Sequence, residues 1–147
     1  PPAARLATIR KLSEAGVPVG VMVAPVIPGL TDAEIPNILA AATEAGARFA
    51  GHVVLRLPFA VAPLFEDWLT RHFPDRKEKV LNRLRAMRGG KLYDADFGKR
   101  MTGEGIFAEQ IEQMFNVARR RVGIAENHLH LSTESFRRPG GTQLDLL

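Results

Sequence analysis

The residues best suited to chemistry in this 147-residue chain are its cations, and they are unevenly placed. Residues 71–100 hold ten Lys or Arg against four Asp or Glu, whereas residues 1–70 and 101–147 each hold five basic and six acidic residues. All of the net charge of +4 therefore lies in one window. Within it Arg76, Lys79, Arg83, Arg85, Arg88 and Lys91 surround one helical stretch and its exit, and Arg76, Lys79 and Arg83 recur at i, i+3 and i+7 along one face. Such a stripe binds phosphates electrostatically, with strong salt dependence and little sequence preference. The same spacing also fits an ordinary solvated face. Tyr93 and Phe97 follow the stripe as candidates either for stacking on an unpaired base or for core packing.

No complete catalytic set accompanies these cations, and no catalytic residue is assigned within the chain. His128 and His130 lie two apart with Glu126 nearby, but a metal site needs a further ligand and a rigid element, so no metal site is expected. His52 precedes a strand-like run and fits a structural or surface role. Gly103-Glu104-Gly105 lacks the Lys-Ser/Thr of a phosphate-binding loop. Ser13, Ser132 and Ser135 have no nucleophile-elbow context, and Glu66-Asp67 lies on a helix flank where charges are common. The chain has no cysteine, which excludes disulfides and Cys-ligated zinc or iron–sulfur centres within it. The longest apolar run, Val17–Leu30, is broken by three prolines and two glycines. It falls short of the roughly 18–20 residues that cross a bilayer, so no membrane partner is expected.

The pattern of elements that must position these residues is alternating. Residues 3–15 read as a helix with Leu6, Ile9 and Leu12 on one face, ended by Gly16. Residues 17–24 are apolar on both faces and β-branched, as in a strand buried on both sides of a parallel sheet. Residues 25–30 read as a stiff loop. Thr31-Asp32-Ala33-Glu34 offers a capping box, with Pro36 making the first turn irregular. Ile35, Ile38, Leu39 and Ala42 form the apolar face of the following helix, and residues 53–57 form a second strand stopped by Pro58. The remainder reads as helical. Leu64, Phe65, Trp68, Leu69 and Phe73 make one stripe; Val80, Leu81, Leu84 and Met87 a second; Phe107, Ile111, Met114, Phe115, Ala118 and Val122 a third. The order implies α/β architecture with parallel strands. It divides into residues 1–62, a helical extension over 63–122 carrying the basic segment, and a flexible C-terminal tail over 123–147. Two strands complete neither a barrel nor an open sheet. Further strands are expected upstream of Pro1, in keeping with a chain that starts Pro1-Pro2 without a methionine.

The run from Arg5 through Asp32, the segment Arg83–Asp94 and the stretch Arg137-Arg138-Pro139-Gly140 resemble the second half of a radical S-adenosylmethionine (SAM) protein. The nearest branch is the bacterial group similar to spore photoproduct lyase, often described as DNA-repair-photolyase-like. The resemblance implies the C-terminal part of a partial (β/α)₆ TIM-like barrel in a cytoplasmic lyase or repair enzyme. In that family the strands present the cofactor at their C-terminal ends, as parallel α/β folds do. Val26-Ile27-Pro28-Gly29 and Asp32 match the family's turn after the fifth strand. They imply an apolar wall and a tight turn for the SAM adenine through Val26, Ile27 and Gly29. Leu57 and Arg56 would border the same site, Arg56 offering a planar fork to a carboxylate or phosphate. Core packing, a simple turn and a structural ion pair are the respective alternatives.

The chain departs from the family in one respect. The Cys-x₃-Cys-x₂-Cys loop that binds the [4Fe–4S] cluster has no counterpart here, so SAM and cluster sites would be complete only with the upstream half of the barrel. The implied substrate is DNA or RNA. The last five residues, Gln143-Leu144-Asp145-Leu146-Leu147, resemble the pentapeptide that docks bacterial replication and repair proteins on the sliding clamp. In that likeness Gln143 fixes register while Leu144, Leu146 and Leu147 enter apolar pockets. The alternative to an enzyme is a non-catalytic adaptor that binds nucleic acid or the clamp.

Overall fold

The computed structural model describes residues 1–124 and 132–137. In chain order its elements are α1 (Pro2–Glu14), β1 (Gly20–Val26), a 3-10 turn (Asp32–Glu34), α2 (Ile35–Glu44), β2 (Phe49–Val54), α3 (Val61–His72), α4 (Pro74–Ala86) and α5 (Ile106–Arg121). The strands pair in parallel as a two-stranded sheet.

Both strands lie away from the expected positions. β1 takes in Pro25 and Val26 and begins at Gly20; β2 begins at Phe49 rather than Val53. Pairing sets these limits: Gly20, Val21, Met22 and Val23 face Phe49, Ala50, Gly51 and His52. The ladder then slips, so that Val26 faces Val54 with one extra residue on β1. The slip reverses the alternation of side chains, and Val26 rather than Pro25 points inward beside Val54. Leu55 and Leu57 lie beyond the ladder, yet Leu55 N–H still donates to the Val26 carbonyl at 2.9 Å, and Leu57 reaches the core.

One face of this sheet is covered. Val23, Val26 and Val54 pack with Ile35 and Leu39 of α2, Leu69 of α3, Val80, Leu81 and Leu84 of α4, and Ile111, Phe115 and Ala118 of α5. Residues 1–62 and 63–122 thus share a single hydrophobic core. The other face carries Gly20, Met22 and Ala24 of β1 and Phe49, Gly51 and Val53 of β2. Every one is apolar, and no helix among the described residues covers them. Met22 is 62% exposed, with its thioether lying over Gly51. The Phe49 ring lies where a Cβ on Gly20 would stand, so only glycine fits opposite Phe49.

The helices follow their apolar periods more closely than the strands. In α4 and α5 the buried apolar positions are those the spacing gives, with Val80, Leu81, Leu84, Ile111, Phe115 and Ala118 inside, and α5 buries Arg119 as well. The capping box does not form: Thr31 Oγ1 accepts from Ile27 N–H at 2.9 Å, and a 3-10 turn precedes Pro36, which sits in the first turn of α2. In α3 only Leu69 is buried. Leu64 points outward and Trp68 stacks on Phe65, with ring centroids 5.6 Å apart. α1 buries no residue.

This packing predicts unequal costs of truncation. Leu39→Ala, in the fully enclosed centre, should destabilise the chain by about 2–5 kcal/mol. Leu6→Ala on α1 should cost less than about 1 kcal/mol. Urea unfolding of both variants checks the contrast.

Candidate functional site

Because the strands are parallel, the loops that leave them emerge at the same end of the sheet, where ligands of α/β folds gather. The loop after β1 is held by its own side chains. Asp32 Oδ2 accepts from Gly29 N–H at 2.9 Å, and Gly29 has a φ of +83° that favours glycine. Arg83 of α4 reaches the same carboxylate, with Nη1 3.3 Å from Asp32 Oδ2, and its guanidinium lies 5.0 Å from the centroid of the Phe107 ring. Arg83, Asp32 and Phe107 line a small cavity of about 190 Å³ with Pro28, Ile111 and Met114. Arg83 is therefore engaged with this loop, not free on a helix face.

Five residues further on, Arg88 performs the matching task at the end of β2. Its Nη2 donates to the Leu55 carbonyl at 2.9 Å and its Nη1 to the Arg100 carbonyl at 3.3 Å. The side chain joins the end of β2 to the loop over residues 91–105, and the residue is only 3% exposed. Met101 of that loop also lies against β2, its carbonyl accepting from Val54 N–H at 2.8 Å. Burial pulls the Arg88 guanidinium below the usual arginine range; Asp94 opposes this and the neighbouring Arg56 adds to it. The group remains charged at neutral pH.

The other expected phosphate-binding residues are distributed differently. Arg76, Lys79 and Lys91 are exposed. Arg85 is half-buried, donating to Asn82 Oδ1 at 3.2 Å. Of the residues implied for the SAM adenine, Val26 and Leu57 are buried in the core. Ile27 packs partly against the core, and Gly29 faces Arg83. Arg56 lies at the β2 end, with Nη1 3.8 Å from Met101 Sδ. Val26 alone of these five lines the larger cleft, a space of about 740 Å³. That cleft lies instead between Leu6 and Ile9 of α1, residues 21–26 of β1, and Ile38 and Ala41 of α2. Sequence reasoning missed Phe59, whose ring lies 6.1 Å from that of Tyr93, and Arg100, whose carbonyl accepts from Arg88; an aromatic directly after Pro58 was the available signal.

His52 lies on the covered face, its ring 4.6 Å from that of Phe115 and its Nε2 3.5 Å from Glu112 Oε2. Burial lowers its pKa, and Glu112 opposes that shift only in part. Among the described residues no group of three or more His, Cys, Asp or Glu could hold a metal ion, and no helix is long and apolar enough to cross a membrane. His128, His130, Glu126 and the clamp-like Gln143, Leu144, Leu146 and Leu147 lie outside the described residues. No protein-family model matches the chain, and no curated protein or solved structure matches it significantly.

Two predictions follow from these contacts. Arg88→Ala leaves the Leu55 and Arg100 carbonyls without their donor and should cost about 2–4 kcal/mol in urea unfolding. Arg88→Lys, which lacks the two-pronged fork, should recover only part of that loss. For His52, the unfolded chain takes up a proton near the ordinary value of about 6.5, before the folded chain does. Stability should therefore fall as pH drops below about 6.5, until the lowered folded-state pKa is passed, and should not depend on His52 above that window. His52→Phe should flatten this part of the urea-midpoint profile.

Proposed function

We propose that this chain is the C-terminal portion of a larger α/β enzyme of the radical SAM type, acting on nucleic acid in a repair-like reaction in the cytoplasm. The observation that carries the reading is the apolar sheet face beside the β1 edge, which the described residues leave uncovered and unpaired. Residues 20–24 and 49–53 present glycine, methionine, alanine, phenylalanine and valine where a sheet with one solvated face would present polar side chains. A further parallel strand along β1, followed by others, would bury both. The cations at the strand ends support a polyanionic substrate.

The chemistry of this chain's own residues limits the reading. With no cysteine it offers no ligand to an iron–sulfur cluster, so that group does not fit the residues present. Toward SAM it offers strand-end backbone and Arg56, whereas the side chains of Val26 and Leu57 lie in the core. What the chain itself contributes is recognition: Arg56 and the exposed Arg76, Lys79 and Lys91 attract phosphate, and Arg83 and Arg88 fix the loops that present a substrate. The second reading is a binding adaptor without catalysis, favoured by the presence of these cations in a chain with no assigned catalytic set.

Expression of the reading frame extended upstream separates the two. The enzyme reading expects a three-cysteine loop in the extension, about four irons per chain after anaerobic reconstitution, and reductant-dependent SAM cleavage that the 147-residue chain lacks. An extension without such a loop, or iron-free protein inert toward SAM, leaves the adaptor.

A further inference from the structure

A second group of cations, distinct from the stripe on α4, stands at the end of β2. Arg56, Arg88 and Arg100 meet there through the contacts of Arg88 with the Leu55 and Arg100 carbonyls and of Arg56 with Met101. The Nε–H of each is buried and has no hydrogen-bond acceptor among the described residues. None of the three has an ion-pair partner among the described residues; Asp94 acts on Arg88 only at longer range. A buried guanidinium with carbonyls but no anion beside it is costly, and Arg88 is in that position; Arg56 and Arg100 are half-buried beside it, with only their Nε atoms enclosed.

Aromatic side chains flank this group and are unusually exposed. Phe97 is 81% exposed, and the Arg100 guanidinium lies 4.7 Å from its ring centroid. Phe59 is 89% exposed and has a backbone φ of +44°, a conformation that side-chain-bearing residues seldom adopt. Its ring lies 6.1 Å from that of Tyr93, which in turn acts on the charge of Arg88. Neither phenylalanine contributes to the core, and each exposes apolar area that folding would otherwise remove.

The geometry points to a binding site for single-stranded nucleic acid at the end of β2, with backbone phosphate held by Arg56 and Arg100 and bases stacked on Phe97 and on the Phe59–Tyr93 pair. Arg88 is a positioning residue that fixes the loop carrying Arg100. Arginine forks match phosphate oxygens, and an exposed ring accepts any unpaired base. A duplex withholds its bases from such rings, and a phosphorylated peptide would leave them without a flat partner. The site rests on the nucleic-acid part of the reading above and is independent of SAM and the cluster.

The test is fluorescence anisotropy with the 147-residue chain at about 50 mM salt, using labelled oligo-dT and oligo-U of about 12 nucleotides and a duplex of the same length. Circular dichroism confirms that each variant is folded. Single strands should bind more tightly than the duplex. Phe97→Ser or Phe59→Ser should weaken single-strand binding about tenfold. Arg56→Gln and Arg100→Gln should each reduce the slope of log affinity against log salt by about 0.7. Inorganic phosphate should compete less well than a nucleoside monophosphate. Binding that ignores these four substitutions but disappears in Arg76→Gln/Lys79→Gln overturns this site and leaves the nucleic-acid reading standing. Equal affinity for duplex and single strand, unchanged by the phenylalanine substitutions, overturns the stacking site in the same way. No binding to any probe overturns the site together with the nucleic-acid partner.

Discussion

A parallel pair of strands has two faces and two outer edges, and the helices of this chain satisfy only part of that demand. α2, α3, α4 and α5 all contribute to one core on one face. The slip between Val23 and Val26 matters because it keeps Val26 and Val54 on that face together. Without the extra residue on β1, Pro25 would point inward and the inward row would lose its last valine. The opposite face keeps its apolar character, and among the described residues Met22 and Phe49 lie over two of its glycines. The part of the sheet that is well buried therefore fixes the strand ends, while the other side stays available.

Fixing the strand ends is the work of α4. Its core side presents Val80, Leu81 and Leu84; Arg83 in its last turn reaches Asp32 after β1, and Arg88, two residues past its end, reaches Leu55 after β2. The contacts differ in kind. Arg83 meets a carboxylate that already holds the Gly29 amide, so the charge is matched locally. Arg88 meets only carbonyls, so its charge is spread over dipoles and no carboxylate among the described residues matches it directly. The same helix thus closes one strand end electrostatically and leaves the other positive.

How much of this was legible in the sequence depends on whether a period had a reference direction. In α4 and α5 polar and apolar positions alternate at helical spacing, and the buried residues were readable from it. In β1 and β2 both faces are apolar, so alternation carried no phase and the limits came from pairing, which no local pattern encodes. The basic window was equally visible, but spacing along α4 cannot reveal that its last turn abuts the strand ends. Arg83 and Arg88 therefore read as solvent-facing cations although one is half-buried and the other enclosed. Val26 and Ile27 read as an adenine wall, and Leu57 as bordering it, because apolar residues at a strand end fit a ligand and a core alike; the side chains of Val26 and Leu57 pack in the core. Phe59 and Arg100 had no periodic context, one lying after Pro58 and the other in a glycine-rich loop.

α1 bears on what lies beyond β1. A helix of 13 residues with no buried side chain gains little from packing, and helices of that length are marginal in water alone. Its Leu6 and Ile9 nevertheless turn toward the cleft, facing the edge of β1 across it. Among the described residues two separate deficits thus coincide: a helix that buries none of its apolar residues and a strand without a partner for one row of backbone groups. A solvated loop would relieve neither, and another helix would bury the leucine and isoleucine but leave the strand's amides and carbonyls unpaired. One more strand laid parallel to β1 meets both needs at once, because its backbone completes the ladder while its outward side chains reach α1.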